Sequence, residues 1–189
     1  MRAKRFYHSI RLLLCRTAIK RAAYLKRHDI LGAMGDNCRW GPWRLPLYPK
    51  LIRLHNNVSV HKNACIVTHD MLNNHLTRVY PDKDFGSIER IGCIELMDNV
   101  YIASRAYIIR DVRINKNCII TSNSVVTSDI PENTIAAGNP AKPIGKFDIF
   151  AALRSMSKGQ SEQFKNQELP DEVAEVMWEK FYKKRDKVK

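Results

Sequence analysis

An aliphatic side chain returns at every sixth position from Leu96 to Val126: Leu96, Ile102, Ile108, Ile114, Ile120 and Val126. Four residues after each stands a small or aliphatic partner, namely Val100, Ala106, Val112, Cys118, Ser124 and Ile130. A period of six is neither the helical period near 3.6 nor the strand period of about 2. A fixed hexad is the signature of a parallel β-solenoid, in which each unit forms one short strand and turns a corner. Three faces make one triangular coil, so residues 18 apart stack, as Leu96 does on Ile114. The ladder also runs through Leu54, Val60 and Ile66, with Val58 and Ala64 as inner partners. An earlier unit begins at Met34, with Cys38 as its partner, ahead of a Pro- and Trp-rich insert from Gly41 to Pro49. One unit cannot bury its apolar edge alone, so neighbouring coils must stack to build the core.

The pattern lapses over residues 71–91, a stretch of Asn, Asp, Arg and Pro. It reads as a loop thrown out from a continuing solenoid. Loops held on a rigid scaffold commonly shape a binding pocket. Asn73, Asn74, His75, Arg78 and Tyr80 are therefore the candidate substrate-contacting residues, and a mobile surface excursion is the competing reading.

Net charge is +13, and its distribution is more informative than its size. Residues 1–28 hold nine Lys or Arg and no acid, and residues 179–189 hold six against two acids. The intervening 29–178 carry 17 of each sign, so the excess lies at the two ends. Residues 1–29 read as one basic helix, with Ile10, Leu13, Leu14, Ala18, Ala22 and Leu25 along one side. Its longest apolar run, Leu12 to Cys15, is too short to span a bilayer, and no cleavable secretion signal is present. The helix either packs on the end of the solenoid or meets an anionic membrane surface. Basic residues without aromatic interleaving, and without a recognition motif, argue against nucleic acid.

Cysteines at 15, 38, 65, 93 and 118 form no close pair, which points to a reducing cytoplasm and apolar packing roles rather than a zinc site. Beyond the ladder, Ile130-Pro131 and Gly138-Asn139-Pro140 mark turns that end the solenoid. Residues 147–157 read as a short helix and 158–169 as a polar linker. A last helix begins at Pro170, with Asp171 and Glu172 in its first turn and Lys183, Lys184 and Arg185 near its end. The expected layout is thus a basic helical segment over 1–29, a mainly β solenoid over 30–146, and a helical extension over 147–189.

Three stretches carry the most specific patterns: Met97 to Ile102 (Met-Asp-Asn-Val-Tyr-Ile), Ser124 to Pro131 (Ser-Val-Val-Thr-Ser-Asp-Ile-Pro) and Ala136 to Lys142 (Ala-Ala-Gly-Asn-Pro-Ala-Lys). They resemble the hexapeptide-repeat acyltransferases, in particular the galactoside, maltose and surface-polysaccharide O-acetyltransferases. Ile66-Val67-Thr68-His69-Asp70 and Tyr24-Leu25-Lys26-Arg27-His28 leading into Gly35-Asp36-Asn37-Cys38 extend the match over roughly residues 20–146. The resemblance implies a left-handed parallel β-helix, a homotrimer, and acetyl-CoA held as co-substrate in a groove between subunits, with no metal. It further implies a cytoplasmic O-acetyltransferase acting on a hydroxyl of a sugar or polysaccharide precursor. A basic helix that touches lipid would put the protein at the inner membrane face.

Transfer from a thioester to an alcohol needs a base, and histidine titrates near working pH. Of six histidines, His69 sits where the solenoid gives way to the insert, as the family's catalytic histidine does, and His75 is its rival. Asp70 is adjacent, but neighbouring strand residues point to opposite faces, so it is not an expected orienting partner. By resemblance, the Ser104 backbone amide serves the oxyanion and Tyr101 forms an aromatic wall. The family's cofactor contacts fall on Ser104, Ser122, Thr127, Ser128 and Lys142. Here Thr121-Ser122-Asn123 replaces the usual Gly-Ala-Gly, Ser128 stands where Lys is common, and Asn115 replaces a frequent glycine. Two alternatives remain at this level: a non-catalytic trimeric scaffold binding through its basic ends, and a solenoid carbonic anhydrase using His55, His61, His69 and His75. The latter is disfavoured, because six residues carry the chain to the next face instead of stacking it.

Overall fold

The structure is a computed structural model that describes residues 2–86, 89–156 and 169–186. It comprises two compact units, residues 1–152 and 153–189. The stretch read as a linker lies outside the described residues except for Leu169.

In place of one basic helix there are two, α1 (Arg2–Leu14) and α2 (Ala18–Arg27). Thr17 causes the break: its backbone is extended and its side chain accepts the Lys20 N–H at 3.2 Å, a helix-starting cap. The break reorients the apolar residues. Leu12, Ala22 and Leu25 are buried, whereas Ile10, Leu13 and Leu14 face out, so the one apolar side read from the sequence is divided. Arg21 ties the pair together, donating to the Leu12 carbonyl at 2.9 Å and to that of Gly41 at 3.1 Å.

Short strands follow: β1 (Ala33–Met34), β2 (Arg39–Trp40), β3 (Ile52–Leu54), β4 (Ser59–Val60) and β5 (Cys65–Val67). An excursion then carries β6 (His69–Asp70), α3 (Leu72–Val79) and β7 (Arg90–Ile91). The stack resumes with β8 (Ile94–Leu96), β9 (Tyr101–Ile102), β10 (Tyr107–Ile109), β11 (Val112–Ile114), β12 (Cys118–Ile120) and β13 (Val125–Val126). It closes with β14 (Thr134–Gly138), β15 (Ala141–Lys146) and the helix α4 (Phe147–Met156). The second unit contains α5 (Asp171–Asp186), begun just after Pro170 as the sequence anticipates.

The strands form three parallel sheets that the chain visits in rotation. The first is β1-β3-β8-β11, the second β2-β4-β9-β12-β14 with β15 antiparallel at its edge, and the third β5-β10-β13. Leu96 pairs with Ile114, Ile102 with Ile120 and Ile108 with Val126, so each circuit takes the 18 residues that the hexad demands. All six hexad residues and their six partners are buried. Ile66 pairs with Ile108, 42 residues on, so the excursion adds 24 residues without breaking register. It is not a plain loop. α3 forms where Leu72, Leu76 and Val79 recur at helical spacing, a pattern masked in the sequence by two weak helix formers, Asn73 and Asn74.

A ladder of asparagines runs up the corner between the first and second sheets. Asn37 donates to Asn57, Asn57 to Asn99 and Asn99 to Asn117, each side-chain amide 2.8–2.9 Å from the next. All four have positive φ, which Asn tolerates better than other side-chain-bearing residues. Asn99→Ala removes two of these bonds and leaves Cβ in a left-handed turn, so it should cost about 1–3 kcal/mol. Asn99→Gly relieves the backbone alone and should cost less. Denaturant unfolding of the two variants would separate the terms, and equal midpoints would discount the backbone term.

Candidate active site

The third sheet delivers the chain to its most distinctive corner. After β5, the Thr68 side chain is fully buried, and its hydroxyl donates to the Leu47 carbonyl at 2.6 Å. Its own carbonyl accepts the Gly92 N–H at 2.9 Å. Pinned on both sides, Thr68 fixes where His69 leaves the stack. His69 then pairs antiparallel with Ile91, and Asp70 with Arg90.

Asp70 turns to the protein. One carboxylate oxygen accepts the Leu72 N–H at 3.1 Å and so starts α3. The other takes Arg110 Nε at 2.9 Å and Nη2 at 2.8 Å, a two-pronged clamp. Arg110 also pairs with Asp111. The Leu72 N–H first, and then Arg110, hold the Asp70 carboxyl below the ordinary carboxylate range, while its two carboxylates raise Arg110. Gly92 makes this possible, because a Cβ there would overlap the Asp111 carboxylate.

The His69 ring is half-buried. Its Nδ1 lies out of solvent with no hydrogen-bond partner among the described residues. Tyr48 packs edge-on, ring centroids 6.0 Å apart at 68°. The Tyr48 hydroxyl donates to Glu89 at 2.5 Å, and that carboxylate raises the phenol's pKa. The imidazole is therefore placed by strand pairing and ring packing.

Other residues singled out from the sequence distribute over the corners of the stack. Ser104 lies between the second and third sheets, where its carbonyl accepts the Asn123 N–H at 3.1 Å; Ser122 is on that same adjacent turn. Tyr101 is exposed on β9, and Lys142 is exposed on β15 opposite Ala137. Thr127 and Ser128 are exposed after β13, at the corner between third and first sheets that His69 and Arg110 also occupy. Within one chain, His69 and Ser104 thus sit at different corners. Asn73, Asn74, His75 and Arg78 lie on α3 and Tyr80 just past its end, with Asn73 donating to the Phe85 carbonyl at 2.8 Å. His61 lies at the same corner as Ser104, and His55 at the remaining corner between the first and second sheets, where it bonds Glu95 at 3.0 Å. Burial raises the thiols of Cys38, Cys65 and Cys118.

Solved structures of similar architecture include acetyltransferases. A galactoside acetyltransferase in complex with coenzyme A superposes with a TM-score of 0.55 at 20% identity, covering 89% of this chain and 88% of its own. A hexapeptide-repeat acetyltransferase from Vibrio cholerae O1 biovar eltor, complexed with acetyl coenzyme A, gives 0.54 at 19% identity, covering 77% and 86%. The chain has the fold of the hexapeptide-repeat acetyltransferases. No family model and no curated protein matches the sequence.

Within this hexapeptide-repeat fold, sequence reasoning missed Thr68, Tyr48, Glu89 and Arg110. Arg110 stands two residues after Ile108 in an outward position that carries no periodic signal. Its meeting with Asp70 becomes visible only once the 24-residue insertion aligns Ile66 with Ile108. Tyr48 and Glu89 lie in the two non-repeating inserts, where hexad spacing says nothing.

Proposed function

We propose that the protein is an acetyl-CoA-dependent O-acetyltransferase, a left-handed β-helix that works as a homotrimer on a hydroxyl of a sugar or polysaccharide precursor in the cytoplasm. The observation that carries this reading is the division of the site residues between two corners of one stack. His69 and Thr127 lie at one corner, and Ser104 and Ser122 at another. Two copies packed side by side would bring one corner of each to a shared groove, with Tyr101 as its wall and Lys142 near the co-substrate.

In the proposed reaction His69 Nε2 takes the proton of the acceptor hydroxyl as its oxygen bonds to the acetyl carbon. The tetrahedral oxyanion is met by the Ser104 N–H. The C–S bond then breaks, and the imidazolium returns its proton to the departing CoA sulfur. Direct transfer fits because no Cys or Ser is bonded to His69 among the described residues. The α3 residues Asn73, Asn74, His75 and Arg78, with Tyr80, face the acceptor.

The test is CoA release from acetyl-CoA with a panel of sugar acceptors, alongside the mass in solution. Acceptor-dependent release by a trimer is expected. Full turnover by a monomer would sink the shared groove, and failure to bind acetyl-CoA would sink the enzyme reading.

A further inference from the structure

The first helix turns its apolar side away from the protein. Its inward face is set by Leu12, which is fully buried, by Ser9, whose hydroxyl accepts the Leu45 N–H at 3.1 Å, and by His8, bonded to the Tyr24 hydroxyl at 2.8 Å. At about 100° per residue, Leu13, Phe6, Ile10, Leu14 and Tyr7 fall in one arc of roughly 120° on the other side. All five are exposed, Phe6 and Leu14 by 68% each. Lys4 and Arg11 border that arc and are exposed as well. Beyond the Thr17 break, Arg16, Lys20 and Arg27 add exposed cations and Ile19 an exposed aliphatic group.

We propose that this face of α1 docks on an anionic lipid surface, with the apolar arc at the headgroup–acyl boundary and the bordering cations against the headgroups. No described helix is long and apolar enough to cross a membrane, so the mode is a helix lying in the interface. Charge selects the occupant. Residues 1–28 carry nine cations and no acid, so two copies of this segment laid face to face would repel. Residues 29–178 carry 17 charges of each sign, and so offer no net negative surface from a second copy. An anionic bilayer supplies both an apolar layer and negative charge. The inference does not depend on acyl transfer. If both hold, the docked helix brings the site to acceptors that are themselves anchored in the bilayer.

The experiment is cosedimentation of the full chain with phosphatidylcholine vesicles, with and without phosphatidylglycerol. Wild type should sediment only with the anionic vesicles and be released by high salt. Phe6→Asp with Leu13→Asp should weaken binding about tenfold or more, whereas Phe6→Leu with Leu13→Ile should bind as wild type. Lys4→Glu with Arg16→Glu and Lys20→Glu should abolish the salt-sensitive part, and provides the reading if the aspartate pair misfolds by circular dichroism. Wild type left in the supernatant with anionic vesicles would overturn the proposal. So would aspartate variants that bind normally, or that change the oligomeric mass, since the face would then belong to another copy. Loss of acetyl transfer with vesicle binding intact would sink the enzyme reading alone.

Discussion

Replacing His69 with alanine is expected to lower kcat for acetyl transfer by about 10²–10⁴-fold, the usual contribution of a positioned general base. KM for acetyl-CoA should change little, because Ser122 and Lys142 lie at another corner or edge of the stack and owe nothing to the imidazole. The fold should survive. The ring is only half-buried, its Nδ1 satisfies nothing, and the pairing with Ile91 is made by backbone. Removing a buried, unpartnered nitrogen even relieves a cost of about 1–3 kcal/mol, so thermal stability should hold or rise slightly. His75→Ala is the matched control, since His75 is exposed on α3. Single-turnover CoA release by the two variants decides the matter. Unchanged kcat in His69→Ala, or loss in His75→Ala instead, would move the base to the rival histidine.

Legibility in the sequence followed periodicity. Positions that repeat, from Leu96 to Val126, declared their sheet, register and burial, because a stacked coil places the same demand on every eighteenth residue. The position of His69 was readable for the converse reason, since it stands where the repeat stops. What surrounds His69 was not readable. Asp70, set aside as an orienting partner by strand alternation, does turn away from the imidazole, but it turns to Arg110, 40 residues distant, through a contact no local pattern announces. The N-terminal helix erred in an instructive way. Apolar spacing of three and four put six residues on one side of a single helix and left open whether that side packs on the solenoid or meets a membrane. The Thr17 cap and the burial of Leu12 divide that side: Ala22 and Leu25 of α2 pack, while Ile10, Leu13 and Leu14 of α1 face out. Spacing alone says which residues share a face, and only packing says what that face meets. The asparagine ladder was equally hidden, since Asn37, Asn57, Asn99 and Asn117 look like ordinary polar corners until stacking sets their amides 2.8–2.9 Å apart.

Arg110→Ala should be the most damaging change outside the reacting groups. The guanidinium is largely shielded, its side chain 19% exposed, and it makes two bonds to Asp70 and one to Asp111. Without it Asp70 keeps only the Leu72 N–H, and the strand carrying His69 loses one of its ties, while the Thr68 bonds and the pairing with Ile91 remain. A displacement of about 1 Å at a catalytic group can cost about 10²-fold in rate, and a loss of that order in kcat is expected with KM for acetyl-CoA unchanged. Arg110→Lys restores charge but not the two-pronged geometry, so recovery should be partial. A purely structural role would instead lower the melting temperature and leave per-molecule kcat intact. Acid provides an independent reading. The Asp70 carboxyl is held below its ordinary value, so its contribution to stability is in force above the unfolded pKa of about 3.9 and is lost as pH falls through the lower folded value. Arg110→Ala removes one of the causes and leaves the Leu72 N–H and the nearby Arg90 charge, so protonation of Asp70 and loosening of α3 should move to higher pH. Hydrogen exchange of the Leu72–Val79 amides across an acid titration would follow this directly. An unchanged acid midpoint, together with wild-type kcat, would show that Arg110 does not position His69.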